Sequence, residues 1–133
     1  MADDERVRIR SDADIILARQ KGRALAGRLG FSATDLVLIT TAISELARNI
    51  VLYARDGEIT VGCTNSGDPE GIVVIAQDAG PGIADIELAM QSGYSTSGSL
   101  GLGLPGVRRL MDDVTVQSKV GGGTTVVAKK WKR

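Results

Sequence analysis

Histidine is absent from this sequence of 133 residues. Its absence excludes imidazole acid/base triads, histidine-rich zinc sites and any phosphohistidine relay carried on the chain itself. Cysteine occurs once, at Cys63, so the chain cannot close a disulfide on itself and the disulfide-stapled secreted class is excluded. The cytoplasm is the expected compartment. Net charge is missing too: 16 Lys and Arg offset 16 Asp and Glu, which leaves no overall basic field to hold nucleic acid. No stretch is expected to approach the roughly 18 apolar residues of a membrane span, and the acidic start Met1-Ala2-Asp3-Asp4-Glu5-Arg6 lacks an apolar export segment. Chemistry is left to carboxylates, hydroxyls, amides and backbone.

What is present describes one folded domain over residues 1–133. Apolar residues at 43% and charged residues at 24% sit near the globular averages of about 45–50% and 25%. After an extended start through Val7 and Ile9, Ile15, Ala18, Gly22, Leu25 and Leu29 recur at the 3/4 spacing of an amphipathic helix, with Gly30 placed to end it. Ser32-Ala33-Thr34-Asp35 reads as a helix N-terminal cap, followed by Leu36, Ile39, Ile43, Leu46 and Ile50 on one stripe. The period then changes. Runs rich in β-formers at 59–64 and 72–76 are separated by a turn composition at 65–69, a glycine/serine/threonine tract fills 92–106, and a helix is expected over 104–111. Strands at 114–118 and 124–128, divided by Gly121-Gly122-Gly123, form a closing hairpin. This order predicts an α/β (α+β) two-layer sandwich, with helices covering one face of a mixed, mostly antiparallel sheet.

Three constellations stand out as candidates for chemistry. On the second helix, at 100° per residue, Glu45 and Asn49 lie one turn apart on the side away from the apolar stripe, among Leu38, Ala42 and Leu52. A carboxylate and an amide thus project from an otherwise apolar surface. The run Asp78-Ala79-Gly80-Pro81-Gly82 ends a buried-looking strand in a tight turn, which would present the Asp78 carboxylate to an exocyclic amine. The tract 93–106 holds five of the 17 glycines and reads as a lid leading into a helix start, where amides favour phosphate. Its Gly101-Leu102-Gly103-Leu104-Pro105-Gly106 matches the dinucleotide fingerprint in letters only, since no strand runs into it, and no Gly-Lys-Ser/Thr follows to make a Walker loop.

Together the three carry a resemblance. Glu45-Leu46-Ala47-Arg48-Asn49 resembles the N box, Asp78-Ala79-Gly80-Pro81-Gly82 the first glycine box and Gly101-Leu102-Gly103-Leu104 the second glycine box of the Bergerat-fold ATPases, with Gly123-Thr124 in the final hairpin. That family includes gyrase B, Hsp90, the histidine kinases and MutL. The phrases Thr40-Thr41-Ala42-Ile43-Ser44 before Glu45, Tyr94-Ser95-Thr96-Ser97-Gly98, and Gly103-Leu104-Pro105-Gly106-Val107 are similar to the small serine/threonine kinases of the bacterial stressosome, relatives of the anti-sigma-factor kinases.

The resemblance implies a Bergerat-type ATP-binding fold with ATP and Mg²⁺ as cofactors. It makes Asn49 the protein ligand of Mg²⁺ and Glu45 the general base for the attacking hydroxyl. It makes Asp78 the acceptor of the adenine amine, lets the base pack at Gly80 and Gly82, and sets Thr124 near the base. The segment with Ser97, Gly98, Gly101, Leu102, Gly103 and Leu104 would wrap the phosphates, and Arg48 either neutralises their charge or is an exposed helix arginine. With no histidine acceptor, the phosphoryl group is expected to go to another protein or to water; the resemblance implies Ser or Thr of STAS-domain scaffold proteins as the acceptors, and a released kinase that binds and activates an effector such as a PP2C-type phosphatase. No nucleic-acid or membrane partner is implied, and the chain is expected as a monomer or weak homodimer. The rival readings are a nucleotide-gated binding module with incidental turnover and an anti-sigma factor. The basic end Lys129-Lys130-Trp131-Lys132-Arg133 reads as a solvated terminus with the Trp packed back on the sheet, and Cys63 as a small core residue.

Overall fold

The computed structural model describes residues 4–64, 70–82 and 104–132. Strand β1 (Glu5–Ile9) leads into α1 (Asp12–Leu29), whose start is fixed by Asp14: its carboxylate accepts the backbone N–H groups of Arg10 at 2.9 Å and Ser11 at 3.2 Å. Gly30 ends α1 in the left-handed conformation, φ 87°, and donates to the carbonyl of Gly27. Ser32 then opens α2 (Ala33–Asn49), its hydroxyl accepting the Asp35 N–H at 3.1 Å. Both helix boundaries follow the sequence signals.

The end of α2 does not. The helix passes from Asn49 into a π-helical turn, Ile50–Ala54, which closes when Arg55 takes a positive φ of 68° and donates to the carbonyl of Ile50. No glycine stands there to announce the stop. By length and composition the run Ala33–Ala54, 22 residues, suffices to cross a bilayer, contrary to the sequence expectation. Its stripe of Ile39, Ile43, Leu46 and Ile50 is packed into the core instead.

Strands β2 (Gly57–Cys63), β3 (Gly71–Asp78), β4 (Asp113–Ser118) and β5 (Thr124–Trp131) complete a sheet of order β1-β2-β3-β5-β4, with helix α3 (Leu104–Leu110) before β4. All four pairings are antiparallel, so the sheet described carries no parallel pair. Alternation sends Val7, Ile9, Ile59, Val61, Ile72, Val74, Ala76, Val126 and Ala128 to the helix side, where they meet Leu25, Ile39, Ile43 and Val107. Cys63 packs at the margin of this core.

The basic terminus is built into the fold rather than solvated. Strand β5 runs through Trp131, the buried Lys130 donates its Nζ to the carbonyl of Leu110 at 3.1 Å, and Lys132 donates to the carbonyl of Leu29 at the end of α1. The Trp131 N–H donates to Asp112 Oδ2 at 2.8 Å, and the indole lies against Gly71. Cations beside the last carbonyls of two helices complement their dipoles, which the charge count alone did not disclose.

Candidate functional site

One row of residues crosses four strands at the end of the sheet. Gly57 of β2 stands opposite Asp78 of β3, Asp78 opposite Thr124 of β5, and Thr124 opposite Ser118 of β4. Each shares the register face of the core residues of its own strand, the buried Ile59, Ala76 and Val126 and the partly buried Val116, so the row lies at the rim of the helix-covered side.

Asp78 is half-buried, and its Oδ1 accepts the Gly80 N–H at 2.9 Å. That bond makes the turn predicted at the strand's end. Its Oδ2 has no hydrogen-bond partner among the described residues. Ser118 donates its hydroxyl to the carbonyl of Gly123 at 3.0 Å, so the proton in the 2.8 Å bond between Ser118 and Thr124 is that of Thr124. The Thr124 oxygen keeps its lone pairs. A carboxylate oxygen and a hydroxyl oxygen from adjacent strands therefore form an acceptor pair, suited to a planar ligand with an exocyclic amine.

The glycines of this turn are demanded by protein neighbours. A Cβ on Gly80 would lie 2.7 Å from the Cβ of Ala54 in the π-helical turn, and Gly82, at φ 80°, presses against the backbone of Lys119. The Gly121 N–H adds a bond of 2.8 Å to the carbonyl of Pro81. The turn is thereby wedged between the end of α2 and the β4–β5 hairpin. The resemblance gave Gly80 and Gly82 to the packing of a base; on the side where a Cβ would stand, their neighbours are Ala54 and Lys119.

The same wedge joins α2 to the row. Ile50, directly after Asn49, comes within 2.8 Å of where a Cβ on Gly57 would stand, and the Cβ of Asp78 within 3.1 Å of it. Glu45 and Asn49 thus ride on the last turns of a helix whose continuation is packed against the strand ends. The Glu45 side chain is only 16% exposed and pairs with Arg48 at 2.9 Å, whereas Arg48 is 51% exposed. Asn49 is half-buried, and its amide has no hydrogen-bond partner among the described residues. Arg48, expected beside phosphate, is engaged with Glu45.

Just beyond the π-helical turn, Asp56 receives both Arg8 Nε at 3.0 Å and Arg8 Nη2 at 2.8 Å, with Arg10 Nε at 3.4 Å. The Arg8 guanidinium, by hydrogen bond and charge, holds the Asp56 carboxyl down at about 2. This clamp fastens the exit of the turn to β1.

Leu104, at the start of α3, is buried in the core. Ser97, Gly98, Gly101, Leu102 and Gly103 lie outside the described residues. The Arg48–Glu45 pair, Ala54 and Ser118 were not anticipated. The first two turn on the helix's end geometry, but Ser118 could have been placed by counting strand register back from the three glycines.

Among the described residues no cluster of three or more His, Cys, Asp or Glu forms a metal cage. The unpartnered Asn49 amide suits instead a hard cation that takes one protein oxygen and completes its shell with phosphate oxygens and water. The donor set fits Mg²⁺ carried with a nucleotide.

Known proteins share this fold. The chain is 52% identical over 133 residues, all of both chains, to the serine/threonine-protein kinase RsbT of Bacillus subtilis (strain 168). It is 34% identical over 129 residues to the anti-sigma F factor of Geobacillus sp. (strain WCH70), covering 86% of this chain and 82% of that one. The crystal structure of the RsbU and RsbW domains of Rv1364c from Mycobacterium tuberculosis superposes with a TM-score of 0.66 at 21% identity, over 98% of this chain and 32% of that chain. The mycobacterial sensor histidine kinase MprB superposes with a TM-score of 0.60 at 17% identity, over 97% of both; these two structures speak to the fold. The sequence pattern of the histidine kinase-, DNA gyrase B- and HSP90-like ATPases matches residues 34–133, and the chain belongs to that family.

Proposed function

We propose that this chain transfers the γ-phosphoryl group of ATP, bound with Mg²⁺, to a Ser or Thr hydroxyl of a STAS-domain protein in the cytoplasm, and on release binds and activates an effector such as a PP2C-type phosphatase. The broader statement, that it is a serine/threonine protein kinase, stands on full-length identity of 52% to such a kinase. The observation that carries the site reading is the placement of Glu45 and Asn49 on the helix end that packs against the Asp78 turn.

In this reading Asp78 Oδ2 and the Thr124 oxygen accept hydrogen bonds from the adenine edge. The Asn49 amide oxygen would hold Mg²⁺, which when bound would offset the charge that develops on the phosphates. Glu45 orients the acceptor hydroxyl and takes its proton. Ser97, Gly98, Gly101, Leu102 and Gly103 would supply phosphate contacts, leading to Leu104 where α3 starts. The chain's work is positioning: it fixes a hydroxyl and a phosphoryl group in line.

Incubation with γ-labelled ATP, Mg²⁺ and a STAS-domain protein of the same genome tests this. Label on the STAS protein that is lost with Glu45→Gln, while nucleotide binding persists, supports kinase action through Glu45. The identity of 34% to an anti-sigma factor gives the alternative its weight. Nucleotide-dependent capture of a sigma-type partner, with no label on any acceptor, would replace the kinase reading by a nucleotide-gated binding module.

A further inference from the structure

Two side chains compete for the Glu45 carboxylate. Asn49, at i+4, and Arg48, at i+3, both stand one turn along the same helix. The carboxylate pairs with the guanidinium, Oε1 to Nη1 at 2.9 Å, and leaves the Asn49 amide without a partner among the described residues. Burial is asymmetric, at 16% for Glu45 and 51% for Arg48, so the guanidinium reaches a largely dehydrated carboxylate from the solvent side. An ion pair in that setting is screened less than one on an open surface. Moving Arg48 onto a phosphate would take from the Glu45 charge its one charged partner among the described residues, where little water reaches it.

We propose that Arg48 is the positioning residue for Glu45: it holds the carboxylate by Oε1 and leaves Oε2 to take the proton of the acceptor hydroxyl. The inference rests on the reading of Glu45 as general base. The acceptor O–H proton passes to Oε2 as its oxygen bonds to the γ-phosphorus. The bond from the γ-phosphorus to the bridging oxygen breaks, its electron pair leaves with ADP, and Glu45 returns the proton to water. Arg48 touches no reacting atom in this scheme. It also keeps the carboxylate from turning to the Asn49 amide, which stays open for its own ligand.

The test compares kcat, the KM for ATP and the affinity for a fluorescent ADP in the full chain, with a STAS-domain protein as acceptor. The variants are Arg48→Gln, Arg48→Lys, Glu45→Gln and the double variant Glu45→Gln/Arg48→Gln. Arg48→Gln is expected to lower kcat at least about tenfold, with nucleotide affinity and KM within about twofold of the parent. Arg48→Lys, which keeps the charge but not the planar fork, recovers part of the loss. The double variant is no slower than Glu45→Gln alone, since Arg48 acts only through Glu45. A fall in ADP affinity, or an Arg48→Gln loss that multiplies onto the Glu45→Gln loss, overturns the proposal in favour of a phosphate contact. Parental kcat in Arg48→Gln overturns it in favour of a surface ion pair. Should Arg48→Gln fail to fold, the Arg48→Lys kcat-against-affinity comparison carries the same decision. Glu45→Gln at the parental rate would overturn the reading of Glu45 itself, and the Arg48 assignment with it; loss in Glu45→Gln with none in Arg48→Gln overturns the Arg48 assignment alone.

Discussion

Ala54 occupies the place that a side chain on Gly80 would take, its Cβ standing 2.7 Å from where that added atom would lie. The contact locks the π-helical turn that follows Asn49 to the turn that follows Asp78. The base-binding and metal-binding ends of the proposed site therefore share one joint. Gly80→Ala is expected to force the two turns apart, costing about 1–3 kcal/mol of stability by overpacking and lowering nucleotide affinity. Ala54→Gly in the same chain should restore much of both. Urea unfolding and a fluorescent-nucleotide titration check this, and failure of the second substitution to rescue would show that the contact is not the cause.

The joint also marks the limit of what the sequence discloses. Caps at Ser32 and Gly30 and the stripe Ile39, Ile43, Leu46 were legible because local chemistry fixes them. Asp78 and Thr124 were each recognisable by motif, and hairpin register about Gly121-Gly122-Gly123 accounts for Ser118 opposite Thr124. The π-helical turn was not legible, because Arg55, not glycine, takes the positive φ and tertiary packing of Ile50 and Ala54 overrides the preference. Lys130 and Lys132 misled for a similar reason: a run of charges looks solvated until the strand it ends is seen to pass the last carbonyls of α1 and α3.

Arg55 offers a direct check on that override. A non-glycine residue in the left-handed region costs about 1–2 kcal/mol, and no hydrogen bond or ion pair of the Arg55 side chain offsets it among the described residues. Glycine loses about 0.5–1 kcal/mol more than other residues through chain entropy. Arg55→Gly is thus expected to gain up to about 1 kcal/mol, read as a higher melting temperature with phosphotransfer unchanged. A lower melting temperature would mean that the side chain is needed.

The Asp56 clamp makes a prediction with a definite sign in pH. Its folded carboxyl sits at about 2, below the ordinary 3.8, so the Arg8 pair stabilises the fold above pH 3.8 and that contribution fades as the pH falls toward 2. The stability difference between the parent and Asp56→Asn should be constant from pH 7 to about 5 and shrink steadily between pH 4 and 2. Because the pair is exposed the difference will be small and will weaken with added salt. Urea midpoints at stepped pH values decide it, and a difference that persists at pH 2 would place the effect elsewhere.

Lys130 tests the built-in terminus. Its side chain is 8% exposed, and its ammonium donates to the Leu110 carbonyl at 3.1 Å and lies 4.0 Å from Asp112 Oδ1. Lys130→Met keeps the buried stem and removes the donor, leaving a buried carbonyl and a carboxylate with less compensation. The cost expected is about 1–3 kcal/mol. Hydrogen exchange should localise it, with amides of α3 losing protection ahead of those of β2 and β3. Uniform loss across the sheet would instead make Lys130 a core residue without a special tie to α3.

Asp78 permits the cleanest separation of fold from function, because its two oxygens do different things. Oδ1 accepts the Gly80 N–H and shapes the turn, while Oδ2 has no partner among the described residues. In Asp78→Asn the amide oxygen can keep the bond to Gly80, and a donor replaces the open acceptor. Stability should therefore change little, while a ligand amine that needs that acceptor meets an N–H instead. Loss of a hydrogen bond to a charged group, about 1.5–3 kcal/mol, corresponds to about a 10- to 100-fold fall in ATP affinity at 1.4 kcal/mol per decade. Calorimetric titration with ATP and with GTP sharpens the reading: the variant should lose most of the preference for ATP, since it is the exocyclic amine that Oδ2 reads. Unchanged ATP affinity with an unchanged melting temperature would remove Asp78 from the base site and leave it a turn residue.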